Sequence, residues 1–135
     1  MSPKAVWSPT DIDKLLEILK EEKASAGNGG NFKKATFRKA AEELEKIREK
    51  GGPKTGTVCE SKWQKLRQTY HVVAALSAQS GFHWDDEHGA DINEDSEAVW
   101  QAYILAHPDA APFRNKGWEY FEKMKSILRK YLLYM

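Results

Sequence analysis

The chain has 135 residues, 41% hydrophobic and 11% aromatic, which is material for one compact domain with its own core. No stretch approaches the roughly 18 apolar residues of a membrane span, the N-terminus lacks the apolar stretch of a secretion signal, and the single cysteine, Cys59, has no partner for an internal disulfide; the expectation is a soluble intracellular protein, cytosolic or nuclear, with no membrane partner. The net charge of +1 hides a basic, acidic, basic succession: 15 Lys and Arg against 10 Asp and Glu in residues 1–80, none against 8 in 81–112, and 6 against 2 in 113–135.

Two readings of that succession stand side by side. Either the acidic segment folds back on basic helices as ordinary solvated surface, or the first 80 residues meet a polyanion.

Helical signals run along the chain and strand signals are nearly absent. Ser8-Pro9-Thr10-Asp11 predicts a helix start, with Ser8 as cap, proline at the first helical position and Asp11 completing a capping box. Ile12, Leu15, Leu16 and Leu19 follow at helical spacing, so the first helix is expected over about 9–24. Gly27-Asn28-Gly29-Gly30 breaks it. A second helix is expected from about Lys34, with Phe37, Ala40, Ala41, Leu44 and Ile47 on one face, ended by Gly51-Gly52-Pro53 and a flexible basic loop, Lys54-Thr55-Gly56.

Thr57-Val58-Cys59-Glu60 reads as a second capping box. From there Cys59, Trp63, Leu66, Tyr70 and Val73 recur at intervals of four, three, four and three, predicting a third helix, the longest of the three, to about Gln79. Residues 82–93 are expected as an acidic loop pinned by Phe82 and Trp84, its carboxylates facing basic side chains of the third or fifth helix. A fourth helix is expected over about 95–106, burying Val99, Trp100 and Tyr103 and stopping before Pro108. A fifth is expected after Asn115, with Trp118, Phe121, Met124, Leu128, Tyr131 and Leu132 on one face and last turns apolar nearly all round.

A tri-helical unit with a basic third helix is the arrangement of helix-turn-helix DNA readers. At about 100° per residue, Cys59, Trp63, Leu66 and Tyr70 share a buried stripe; Ser61, Gln64, Lys65 and Gln68 lie opposite, flanked by Lys62 and Arg67. Gln can hold an adenine edge, Lys a guanine edge or a phosphate, and Ser either. Lys33, Lys34, Arg38 and Lys39 at the start of the second helix, and Lys54 from the glycine loop, are candidate phosphate contacts. An exposed Lys65 and Arg67 favour DNA; burial of that face beneath residues 82–93 favours a protein ligand. Val72, on the otherwise polar side, is expected to pack under the C-terminal extension.

Catalytic and metal patterns are weak. His83 and His88 flank Asp85, Asp86 and Glu87, but zinc wants a tight Cys/His set and calcium the alternating carboxylates and central glycine of an EF-hand, so no metal is assigned. Cys59 lies on the buried stripe, where a thiol is inert. Gly27 to Gly30 lacks the Lys-Ser/Thr of a phosphate loop, so no cofactor and no enzyme activity are expected.

Trp7 with Leu15-Leu16, then Phe32 and Phe37, then Lys62-Trp63 with Leu66 and Tyr70, resemble the Myb/SANT-like DNA-binding domain family of plants and fungi, often transposon-associated or transcription-related. The continuation is similar to that family's C-terminal extension: Ser80-Gly81-Phe82-His83-Trp84-Asp85, Val99-Trp100, Tyr103, His107-Pro108 and Pro112-Phe113-Arg114-Asn115-Lys116. The resemblance spans about residues 5–128. It implies an all-α Myb/SANT-like core in which Trp7, Phe37 and Trp63 are the core aromatics, Phe37 standing where a tryptophan is usual, with the third helix as recognition helix.

The reading is a single domain, 1–135, made of a tri-helical core (6–80) and an acidic loop plus two helices (81–135). It implies a nuclear regulatory or transposon-associated module whose partner is double-stranded DNA. The alternative is a SANT-like protein-interaction module that holds a basic protein tail through the acidic 82–97 segment or dimerises through its C-terminal helix.

Overall fold

The computed structural model describes residues 3–27 and 30–129, and these are all-α, without a strand beyond isolated bridges. Their contacts divide into two compact units: Met1–Leu66 with Lys123–Met135, and Arg67–Glu122. The expected apolar turns around Tyr131 and Leu132 lie outside the described residues, as do Asn28 and Gly29 of the first break.

In the first unit, α1 (Pro9–Glu21) starts as its sequence requires: the Asp11 amide donates to Ser8 Oγ at 3.1 Å and the Ser8 amide to Asp11 Oδ2 at 3.0 Å. It buries Ile12, Leu15, Leu16, Ile18 and Leu19, then tightens into a 3-10 turn at Lys23–Ser25 instead of continuing as α-helix to Ala24. Helix α2 (Lys34–Glu45) buries Phe37, Ala40 and Leu44. Past Glu45 the chain closes in tight turns, with the Arg48 guanidinium bonded to Glu45 and to the Gly51 carbonyl.

The loop between α2 and α3 is not the flexible tether its glycines suggest. The Gly52 amide donates to the Lys4 carbonyl at 2.8 Å, and a Cβ on Gly52 would stand 2.2 Å from the Pro3 carbonyl oxygen. Glycine is needed because the N-terminal segment lies directly against this backbone.

Helix α3 (Gly56–Ser77) begins before the expected capping box. Thr55, not Thr57, is the cap, its Oγ1 accepting from the Val58 amide at 3.2 Å while its carbonyl accepts from the Cys59 amide. The upstream start carries the helix through Gly56, where an added Cβ would meet Arg38 at ordinary van der Waals distance, 3.6 Å. Glu60 is thereby left to pair with Lys34. Trp63 is fully buried and donates through Nε1 to the Gly30 carbonyl at 2.8 Å, with Phe32 edge-on to both Trp63 and Phe37. The inner aromatics are therefore Phe32, Phe37 and Trp63, with Trp7 only half-buried. Buried Met124 and Ile127 of α5 (Phe121–Leu128) join this unit, tied by Lys23 Nζ to the Ser126 carbonyl at 2.8 Å and by Lys123 to Asp13 at 2.6 Å.

The second unit is built around Leu76, Phe82, Ala90, Ile92, Trp100 and Ala110, with half-buried Val72 packed against them as expected. Phe82 meets Trp100 and Tyr103 edge-on. Helix α4 (Glu97–Ala106) follows a 3-10 turn capped by Asn93 and buries Trp100, but Val99 is 49% exposed. Residues neighbouring in sequence point about 100° apart on a helix, and with Trp100 inward Val99 is turned to the rim.

A second departure is the segment after the 3-10 helix Pro108–Phe113. Residues 114–120 are not helical: the Ala90 amide donates to the Phe113 carbonyl, the Ile92 amide to Arg114, and the Gly117 amide to Glu87. This strap bonds the main chain of the acidic loop at three points, and α5 starts at Phe121 and not after Asn115. The loop itself is closed by reciprocal Asp85–Gly89 backbone bonds of 2.8 Å.

Candidate nucleic-acid interface

The first half of α3 presents two chemically opposite faces. Cys59, Trp63 and Leu66 point inward, and Ser61, Gln64 and Lys65 are exposed on the other side. Among the described residues no ion pair holds Lys65. Arg67 and Gln68, the next residues of the same helix, belong to the second unit, where Gln68 is exposed and Arg67 half-buried.

Lys62 is less available than its flank position suggests. It is half-buried with its ammonium 5.9 Å from the Trp7 ring centroid, and burial first, then the Lys65 charge, pull its pKa below the usual lysine range.

Lys54 departs furthest from expectation. It is only 4% exposed, pairs with Asp11 at 3.2 Å and lies 5.4 Å from the same Trp7 ring. A lysine is buried in this way only when paired, and Asp11 is the partner. Lys54 therefore holds the α2–α3 loop to the start of α1 and is withdrawn from phosphate contact.

At the start of α2, Lys33 is the N-cap and exposed, and Arg38 is exposed; among the described residues neither has an ion-pair partner. Lys34 reaches Glu60 at 3.7 Å and Lys39 reaches Glu22 at 3.0 Å, the latter hydrogen bond raising the Lys39 pKa. Lys34 and Arg38, with Gly56, Thr57 and Glu60, line a cleft of about 220 Å³. The Val58 and Cys59 amides are taken up by Thr55, and among the described residues the Gly56 and Thr57 amides at the positive end of α3 have no acceptor.

Other candidate chemistries find little support. Burial pushes the Cys59 thiol up to about 11, so it is protonated at neutral pH. Asp85 accepts from the Glu87 and His88 amides and meets His88 Nδ1 at 2.8 Å, and Asp86 accepts from Trp84 Nε1 at 3.1 Å. These carboxylates thus serve the turn of their own loop. Among the described residues no group of three or more His, Cys, Asp or Glu could hold a metal ion, and no helix is long and apolar enough to cross a membrane.

Sequence reasoning missed Trp7 as a platform for two ammonium groups. A lysine eight residues beyond another carries no signal that both converge on one ring.

Comparison with known proteins gives one finding. A family model described as Myb/SANT-like DNA-binding domain matches residues 6–103. The match takes in Ser80–Asp85 and Val99–Trp100 and stops before His107-Pro108 and Pro112–Lys116. Neither the curated proteins nor the solved structures compared with the chain give a match.

Proposed function

The chain belongs to the Myb/SANT-like DNA-binding domain family, and from that premise we propose that it is a double-stranded DNA-binding module of a nuclear regulatory or transposon-associated protein, with α3 as the helix that reads the major groove. The family is defined by DNA binding and not by a reaction. The observation that carries the finer reading is the exposed Ser61, Gln64 and Lys65 face directly behind the buried Trp63, with Lys65 unneutralised among the described residues.

A helix so anchored offers its polar side chains at fixed positions, which direct readout requires. In this reading Gln64 and Gln68 address adenine edges, Lys65 a guanine edge or a phosphate, and Ser61 either. Lys33 and Arg38 meet the phosphate backbone, and the exposed Lys34 and Lys39 exchange their half-buried carboxylate partners for phosphates. Lys62 and Arg67 contribute from partly buried positions, and Lys54 acts on folding alone.

Binding of duplex DNA to the full chain, followed across salt concentrations, tests this directly. Affinity is expected to fall as salt rises, with Lys65→Ala lowering the log–log slope by about one. No binding at low salt, or a slope unchanged in Lys65→Ala, sinks the assignment of α3.

A further inference from the structure

The second unit carries a concave site that DNA binding leaves unused. Phe113, Trp118 and Tyr120 line a pocket of about 460 Å³ together with Asp86, Glu87 and Glu119; the Asp86 carboxylate is bonded to Trp84 Nε1, so the charges offered to a ligand are those of Glu87 and Glu119. The Trp118 and Tyr120 rings stand edge to face, their centroids 6.0 Å apart at 80°. Asp86, Glu87 and Glu119 are exposed, whereas Tyr120 is buried into the wall. One cation, Lys116, also lines the site and leaves carboxylates in excess.

Close backbone packing sets the strap against the acidic loop at this pocket. The Gly117 amide donates to the Glu87 carbonyl at 3.0 Å, and a Cβ at Gly117 would meet the Asp86 carbonyl oxygen at 1.8 Å. Only glycine lets the strap after Phe113 lie flat against the acidic loop, so the aromatic and acidic walls arrive preformed.

Aromatic faces and carboxylates have one ligand chemistry in common. Both attract a cation, the rings through their negative faces and the carboxylates through charge, and the rings also accept an alkyl stem. Within this unit residues 81–122 hold 10 Asp and Glu against 2 Lys and Arg, so the part beyond α3 favours a basic partner over a nucleic acid. We propose that this pocket takes the side chain of a lysine, free or methylated, presented by a basic segment of a protein partner.

The test uses the isotope-labelled full chain and three short, otherwise uncharged peptides carrying one lysine, one trimethyl-lysine or one norleucine. Expected is a saturable shift of the Trp118 indole and Glu119 amide signals with both lysine forms, weakening with salt, and none with norleucine. Glu119→Gln, at an exposed position, should weaken lysine binding about three-fold, the scale of one exposed ion pair. Trp118→Phe, read at the Glu119 amide, should weaken trimethyl-lysine binding by a similar factor of about three. Equal shifts with norleucine would reduce the site to an apolar groove and overturn the proposal. So would movement of the same signals by duplex DNA, concentration-dependent shifts of the chain alone, or silence with every peptide. None of the peptide outcomes bears on whether α3 binds DNA, which Lys65→Ala decides separately.

Discussion

The two units are held by different kinds of bond. In the first, side chains do most of the tying: Trp63 to the Gly30 carbonyl, Lys54 to Asp11, Lys23 to the Ser126 carbonyl, Lys123 to Asp13, beside the main-chain bond from Gly52 to Lys4. In the second, main chain mostly ties main chain, through Asp85 with Gly89, Ala90 with Phe113, Ile92 with Arg114, and Gly117 with Glu87, with Arg114 to Glu97 and Asn115 to the Ile92 carbonyl as side-chain ties beside them. Removing a side chain should therefore damage the first unit most, and adding one where the backbone lies close should damage the second.

The largest effect is expected for Trp63→Ala. It removes a fully buried aromatic and leaves the Gly30 carbonyl without its donor, at a cost of about 3–5 kcal/mol in urea or thermal unfolding. A loss below about 1 kcal/mol, the range of ordinary surface changes and mild core swaps, would mean that the first unit does not depend on this side chain.

Next comes the buried pair. Lys54→Ala leaves the Asp11 carboxylate without its charged partner, and removing one member of a buried pair costs about 3 kcal/mol at the low end. Burial pushes the Asp11 pKa up, but the bonds from the Ser8 amide, the Lys54 ammonium and the Ser8 hydroxyl outweigh it and hold the carboxyl below 3.8. A depressed folded pKa gives stability that is complete above the unfolded value and fades as pH falls through the folded one. The acid limb of a stability–pH profile should therefore flatten below about pH 4 in Asp11→Asn, which has no carboxyl to protonate. An unchanged acid limb would remove Asp11 from the fold's support.

This contrast also explains what could be read from the residues beforehand. Helix α1 was legible because capping and periodicity are local: Ser8, Asp11 and the leucines lie within one short stretch. The inward stripe of α3 was legible for the same reason, and its exposed Ser61, Gln64 and Lys65 followed from it. Lys54 was misread because its partner lies 43 positions earlier, and burial of a lysine depends on a distant carboxylate that no spacing announces. The strap after Phe113 has an apolar spacing that fits a helix, while the bonds that decide its shape come from residues 87–92. The cation pocket was hidden with it, since its acidic and aromatic walls meet only through that strap.

Gly117→Ala tests the backbone side of the comparison. The added Cβ has no room against the Asp86 carbonyl, so the strap must shift, at about 1–3 kcal/mol. Faster hydrogen exchange at Gly89 and Ala90 should accompany the loss. By contrast His88→Ala, in the same loop but exposed, should stay within about 0.5 kcal/mol. If His88→Ala proves the costlier, side chains and not backbone hold the second unit.

The smallest effect separates two threonines two residues apart. Thr55 Oγ1 accepts from the Val58 amide and the Thr55 carbonyl from the Cys59 amide, so α3 starts from Thr55, and Thr57 already lies within its first turn. Thr55→Ala should cost about 1 kcal/mol, the usual worth of an N-cap, whereas Thr57→Ala should stay within about 0.5 kcal/mol because among the described residues its hydroxyl caps no amide. The same pair bears on DNA binding without confusing the two roles. Thr57 lines the cleft with Lys34 and Arg38, so Thr57→Ala, neutral for folding, is expected to weaken DNA if a phosphate sits there. The reverse order of stabilities would move the start of α3 back to Thr57, with Glu60 as the returning half of a capping box and Lys34 released from it.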